Sequence, residues 1–106
     1  MRNLRAAPRR SVRELARIVF EDGNPTLKCI IVDVSETGAR LIIAGAQDLP
    51  DTFLLFRRSD LTLREAVVMR REFTAVGVSL APPLDLESPR VKALTQLRSL
   101  SPIFSR

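Results

Sequence analysis

Six short apolar segments, separated by clusters of turn-forming residues, constrain the fold of this chain more than any other feature. Each segment is rich in β-branched and aliphatic residues, which is typical of β-strands. The links between them are too short to hold a crossover helix, so neighbouring strands are expected to run antiparallel. Six such strands usually close into a small barrel, because closure removes the exposed edges. The predicted strands cover residues 12–20, 26–34, 39–43, 52–57, 61–70 and 74–80, which gives a β-barrel over residues 12–81.

A helix is predicted after the strands. Pro82 and Pro83 end the sheet, and Ser88 followed by Pro89 is typical of a helix start, with serine as the capping residue. Apolar residues then recur at every third position up to residue 100 and form one stripe on the helix over 88–100. These residues are Val91, Leu94, Leu97 and Leu100. We expect the stripe to pack on the barrel, with a dimer surface as the alternative. Residues 1–106 are therefore predicted to be a single all-β domain with a C-terminal α-helix.

The composition argues against an enzyme. The chain has 106 residues and no histidine, which removes the imidazole base, the usual catalytic triads and most zinc sites. A single cysteine, Cys29, allows no internal disulfide and no paired metal or redox site, and its place among aliphatic residues predicts a small core residue. The four glycines are too scattered to form a phosphate-binding loop. We therefore expect no catalytic residue, no metal and no cofactor.

The positive charge is concentrated at the N-terminus. The net charge is +5, and residues 1–17 hold six arginines and one acid, whereas residues 18–106 hold eleven basic and eleven acidic residues. Residues 1–11 are read as a flexible, arginine-rich arm. Such an arm is either a solubilising tail or a binding segment for an anionic partner such as a nucleotide, a nucleic acid or an acidic lipid. The pairs Arg57–Arg58 and Arg70–Arg71 flank turns and are expected to be solvated.

Two local patterns carry the functional prediction. The first is Arg5-Ala6-Ala7-Pro8-Arg9, in which two arginines of the arm are four residues apart. The same spacing also joins Arg9 to Arg13, which leaves a second pair open. The second pattern is Asp33-Val34-Ser35-Glu36-Thr37-Gly38, a strand end that runs into a tight turn. That turn also has a purely structural reading, with side chains capping backbone amides and Gly38 at a positive φ.

In their order, separation and setting, these patterns resemble the PilZ domain, the bacterial receptor module for cyclic di-GMP. The resemblance covers nearly the whole chain and includes the Gly-Ala-Arg-Leu of residues 38–41 and the Val-Gly-Val of residues 76–78. Met69 stands where many relatives carry tryptophan. Ala6 stands where many strong binders have a second arginine, and Arg10 is the candidate to compensate for it. The resemblance implies a six-stranded antiparallel barrel and a ligand site formed by Arg5, Arg9, Arg10, Asp33, Ser35 and Gly38.

The chemistry of these residue types fits a cyclic dinucleotide. A guanidinium group can grip a phosphate, bond the O6 and N7 edge of guanine or stack on a base. The carboxylate of Asp33 is suited to the opposite guanine edge, where N1–H and N2–H are donors. Ser35 adds a hydroxyl group, the turn offers backbone amides, and Gly38 is expected to let the ligand approach without a Cβ in the way.

The sequence therefore predicts a non-catalytic cyclic di-GMP receptor of bacterial second-messenger signalling, whose arm folds over the ligand. Its partners would be cyclic di-GMP and an unidentified downstream protein, and the chain would be a cytoplasmic monomer or dimer. There is no apolar signal segment and no run of about 20 apolar residues. One alternative is a PilZ-like interaction module that binds no ligand. A less favoured one is a small basic barrel that binds nucleic acid, since Tyr and Trp are absent as stacking platforms.

Overall fold

The computed structural model describes residues 8–22 and 25–96. Six strands and one helix form the fold, in the order β1 (Arg10–Val19), β2 (Leu27–Val34), β3 (Gly38–Ile42), β4 (Thr52–Arg57), β5 (Thr62–Arg71), β6 (Ala75–Leu80) and α1 (Pro89–Gln96), with a short 3₁₀ turn at Ala46–Asp48 between β3 and β4. All strand pairs are antiparallel, and the sheet closes into a barrel in the order β1-β2-β3-β6-β5-β4. The predicted six-stranded antiparallel barrel with a C-terminal helix is confirmed.

The start of the barrel differs from the sequence prediction. Strand β1 begins at Arg10, two residues before the predicted start, and Arg10 and Ser11 pair with Val34 and Asp33 of β2. These two polar residues therefore belong to the barrel and not to the arm. Three predictions lie outside the described residues: the conformation of residues 1–7, the tip of the first hairpin at 23–24, and the helix beyond residue 96.

The barrel interior is filled by the inward-facing side chains of all six strands. The largest of them that are almost fully buried are Ile18, Ile31 and Leu41, and Cys29 lies with them at 3% exposure. Burial raises the pKa of the Cys29 thiol to about 12, so the group stays protonated and behaves as a small apolar residue, in agreement with the prediction.

A second, smaller apolar cluster lies on the outer face of β1, β4 and β5. Strand β4 contributes to both clusters, because Phe53 and Leu55 face the barrel interior while Leu54 and Phe56 face outward. The outer cluster is covered by the C-terminal segment, from which Leu84, Leu86 and the buried Val91 pack against the strands. Four consecutive buried residues in one strand are explained by this double packing.

Helix α1 begins as the sequence predicts. The Oγ atom of Ser88 accepts a hydrogen bond from the backbone N–H of Val91 at 3.3 Å, and Pro89 is the first helical residue. Val91, the first residue of the predicted apolar stripe, is buried against the barrel. The positions of the Leu94, Leu97 and Leu100 side chains lie outside what the structure describes. Within the described part of the chain, no helix is long and apolar enough to cross a membrane.

Candidate functional site

One end of the barrel, which we call the mouth, brings Arg9, the last residue of the first sequence pattern, next to the second pattern. Strands β1, β3 and β5 begin at the mouth, and β2, β4 and β6 end there. Strand register sets this arrangement, because Ser11 pairs with Asp33, and Val34 in turn pairs with Ala39. The start of β1 and the turn between β2 and β3 therefore lie side by side, although about two dozen residues separate them in the chain.

Arg9 contacts the aspartate of the second pattern directly. Its Nε atom donates a hydrogen bond to Oδ2 of Asp33 at 3.2 Å. Both side chains remain roughly one-third exposed, at 38% and 30%, so a ligand can reach both groups. Arg5, the other predicted member of the pair, lies outside the described residues, and the alternative partner Arg13 is an exposed residue of β1.

The turn after β2 is held by its own backbone. The N–H of Ser35 donates to the carbonyl oxygen of Gly38 at 2.9 Å, and the N–H of Thr37 donates to Oγ of Ser35 at 3.3 Å. The carbonyl oxygen of Thr37 in turn accepts from the N–H of Leu80 at the end of β6. The Ser35 hydroxyl oxygen therefore caps an amide, as the structural reading predicts.

The reason for glycine at position 38 differs from the prediction. Gly38 does not adopt a positive φ, and among the described glycines only Gly45 does, at 77°. A Cβ built on Gly38 would lie 2.9 Å from the carbonyl oxygen of Val78, which is backbone of the neighbouring strand β6. The missing side chain is therefore required by the close approach of β3 to β6. The expectation that it clears space for a ligand is not needed to explain this glycine.

A cavity of about 380 Å³ opens at the mouth next to this turn. We call it the arginine pocket, and its lining residues are Pro8, Arg10, Val34, Ser35, Glu36, Arg57 and Arg64. Two of the predicted site residues, Arg10 and Ser35, line it. Arg9 and Asp33 form their ion pair on the adjoining ladder between β1 and β2, and Gly38 lies at the far end of the turn.

Arg57 is not solvated as predicted but half-buried and bonded to carboxylates. Its Nε and Nη2 atoms donate to the two carboxylate oxygens of Glu14 at 2.8 and 2.9 Å, and Nη1 donates to Oδ2 of Asp60 at 3.2 Å. These bonds from Arg57 hold the pKa of Glu14 below its ordinary value. Arg71 is likewise bonded, to the carbonyl oxygen of Ala46 and to Asp51, whereas Arg58 and Arg70 are exposed.

Arg64 also lines the arginine pocket, and the sequence reasoning missed it. Its Nε donates to the carbonyl oxygen of Ala81 at 2.6 Å, and its Nη2 donates to the carbonyl oxygen of Glu36 within the turn. The sequence contains a pattern that could have indicated Arg64. Side chains alternate along a strand, so Arg64 lies on the same face of β5 as Ala66 and Val68, which face the barrel interior. A charged residue in that register at a strand start indicates a polar lining at the barrel end.

The comparison with known proteins agrees with this geometry. A family model described as the PilZ domain matches residues 3–98, a span that includes both sequence patterns and all six strands. The chain belongs to the PilZ domain family. PilZ domains are known as receptor modules for cyclic di-GMP and are generally non-catalytic. The search of curated proteins gave no match.

This PilZ domain combines the family's two motifs with a basic cavity beside them. Three arginines and one glutamate line the arginine pocket, which leaves an excess of two formal positive charges. Met69, at the position where the resemblance leads one to expect tryptophan, lies on β5 and is 69% exposed. Met69 is therefore a surface residue and does not contribute to the barrel core.

Proposed function

We propose that this PilZ domain is a non-catalytic receptor that binds cyclic di-GMP at the mouth of the barrel. The observation that carries the proposal is the contact between Arg9 and Asp33, which joins the arm to the end of β2 at a place where both side chains are accessible. The proposal places the protein in the bacterial cytoplasm, a reducing setting that the single, unpaired Cys29 fits.

The ion pair suits an exchange of partners on binding. In the structure, Arg9 and Asp33 are bonded to each other beside the start of β1. A guanine that presents N1–H and N2–H to Asp33 would replace Arg9 as the hydrogen-bond donor. Arg9 would then be released to grip a phosphate or the O6 and N7 edge of a base. Because the pair is solvent-accessible, breaking it costs little, on the order of 0–1 kcal/mol.

The charge of the adjoining cavity supports an anionic ligand. Arg10 and Arg64 line the arginine pocket, and neither has a carboxylate within salt-bridge distance among residues 8–22 and 25–96. Ser35 lines the same cavity. Cyclic di-GMP carries two phosphates and two purine bases. This region offers positive charge and hydrogen-bond donors for the phosphates and a carboxylate for a guanine base.

Isothermal titration calorimetry with cyclic di-GMP, and with GTP as the control ligand, tests the proposal. We expect saturable binding at micromolar affinity or tighter, and no binding of GTP. Arg9→Ala is expected to remove charge-assisted hydrogen bonds worth about 1.5–3 kcal/mol each, and so to weaken binding at least about tenfold. Arg70→Ala is the matched control, because Arg70 is 77% exposed and lies at the opposite end of β5.

Other outcomes would favour the two alternatives. Absence of heat and of thermal stabilisation at high ligand concentration would indicate an interaction module that binds no cyclic di-GMP. Binding of polynucleotides with a steep salt dependence would indicate a nucleic-acid-binding barrel instead. Unchanged affinity of the Arg9→Ala variant would show that the ligand binds elsewhere on the domain.

A further inference from the structure

Arg64 carries a half-buried positive charge that forms no ion pair with a carboxylate of the described residues. Its two hydrogen-bond acceptors are the backbone carbonyl oxygens of Glu36 and Ala81, and it takes part in none of the ion pairs within residues 8–22 and 25–96. Its neighbour Arg57, by contrast, is bonded to two carboxylates. The two arginines line the same cavity, but of the two only Arg57 is paired with carboxylates.

The two carbonyl bonds fix the orientation of the Arg64 guanidinium. The bonds use the N–H of Nε and one N–H of Nη2, which lie on one edge of the planar group. The other edge, formed by Nη1 and the second N–H of Nη2, takes part in neither of these two bonds. That remaining edge has the fork geometry that binds two oxygens of a phosphate group at once. The two carbonyl bonds also restrict the rotamers of the Arg64 side chain. Ligand binding therefore loses less side-chain entropy than it would with a freely rotating arginine.

Burial makes this charge a favourable partner for an anion. Desolvation by burial is the largest cause and lowers the pKa of Arg64; the charges of Asp60 and Glu36 oppose this shift, and the charge of Arg57 adds to it. An arginine remains protonated at neutral pH despite such a shift. An anion next to Arg64 would restore part of the stabilisation that burial removes from the charged group.

We propose that Arg64 is a further ligand-binding residue of the arginine pocket and holds one phosphodiester group of the cyclic dinucleotide through its Nη1 and Nη2 edge. The inference rests on the proposed function, because it assigns a group of the same ligand. It adds a residue from the wall of the barrel to a site otherwise built from the arm and from the turn after β2. Arg64 also bonds the carbonyl of Glu36, so the phosphate would be coupled to the turn that carries Ser35.

Calorimetry on an Arg64→Gln variant tests this assignment, with Arg70→Gln on the same strand as the matched control. Glutamine keeps an amide donor for a backbone carbonyl but lacks the charge and the phosphate-binding edge. We expect Arg64→Gln to weaken cyclic di-GMP binding about 10- to 100-fold and Arg70→Gln to change it less than about twofold. If Arg64→Gln does not fold, Arg64→Lys retains the charge and serves instead, with an expected loss of about tenfold from the missing bidentate contact.

A phosphorus NMR spectrum of the bound ligand separates a direct contact from a structural effect. With wild-type protein we expect the two phosphorus atoms of cyclic di-GMP to give different shifts, and we expect Arg64→Gln to move one of them selectively. If the wild type binds but Arg64→Gln matches the control in affinity and spectrum, the assignment of Arg64 is overturned and the receptor proposal stands. If the wild type binds no cyclic di-GMP, both proposals fail.

Discussion

The arginine pocket and the groove beside α1 are cavities of similar size but of opposite charge. The groove measures about 420 Å³ against about 380 Å³ for the arginine pocket. Its charged lining residues are Glu21, Asp22, Glu65 and Arg90, which leave an excess of two negative charges. In the groove, the single arginine is held by two acids, since Arg90 bonds both carboxylate oxygens of Glu21 at 2.7 Å and contacts Glu65 at 2.8 Å.

The difference shows how the surroundings of an arginine decide its role. Arg90 is surrounded by carboxylates that raise its pKa and lower that of Glu21, so it fastens α1 to the barrel and has little left to offer an anion. Arg64 has only neutral acceptors in the described part of the chain and faces a cavity with positive charge. The first arrangement is typical of a structural ion-pair network, and the second is typical of an anion-binding site.

The largest expected effect comes from reversing a charge in the arginine pocket. Arg10→Glu places a carboxylate where a phosphate is expected, and like charges brought together cost several kcal/mol. Calorimetry should show cyclic di-GMP binding weakened by about 100-fold or more. Arg10 is exposed at the start of β1, so the melting temperature should change little. Binding that survives this reversal, with Arg70→Glu as the reference, would contradict a ligand site in this pocket.

A smaller effect is expected from a methyl group at the turn beside the pocket. Gly38→Ala would force a Cβ against the carbonyl oxygen of Val78, and overpacking of this kind costs about 1–3 kcal/mol. Chemical denaturation should show this loss of unfolding free energy. Gly77→Ala is the control, because its Cβ would make an ordinary 3.8 Å contact with Arg70. Equal stability of the two variants would refute the strand-contact explanation for Gly38.

The smallest effect is expected from the groove beside α1. Arg90→Ala removes an ion-pair network whose side chains are 40–48% exposed, so screening limits the loss to about 1 kcal/mol. Thermal unfolding should then shift by roughly 4–8 °C for a domain of this size. Affinity for cyclic di-GMP should stay unchanged, in contrast to the Arg64→Gln variant. A parallel loss of affinity would show that the groove and the arginine pocket are coupled.

Hydrophobic patterning predicts most of this fold from the sequence. In the strand segments, alternation of apolar and polar residues marks the inward and outward faces. Strand β4 is apolar on both faces, because the C-terminal segment covers its outer side. The start of β1 escapes this reasoning, since Arg10 and Ser11 join the ladder through backbone pairing and not through apolar side chains. The backbone conformation of Leu61 is not predictable from the sequence either, because leucine has no preference for the positive φ of 57° that it adopts.

The candidate site is less predictable because it depends on long-range register. The motif residues Asp33 and Ser35 are recognisable as a local pattern, but the contact of Asp33 with Arg9 depends on the pairing of β1 with β2. Their roles in ligand binding stay predictions until binding is measured. The pairing of Arg57 with Glu14 joins positions 43 residues apart. Neither that pair nor the bond from Arg64 to the turn has a local sequence signature.

The double packing of β4 has a consequence for how the chain folds during synthesis. The segment Thr52–Arg57 leaves the ribosome before the residues that cover its outer face, Leu84, Leu86 and Val91. Until they arrive, Leu54 and Phe56 form an uncovered apolar strip of the kind that nucleates aggregation. Charged residues flank this strip, since Asp51 precedes it and the adjacent arginines 57 and 58 follow it. Charges in such flanking positions oppose self-association of an apolar strand.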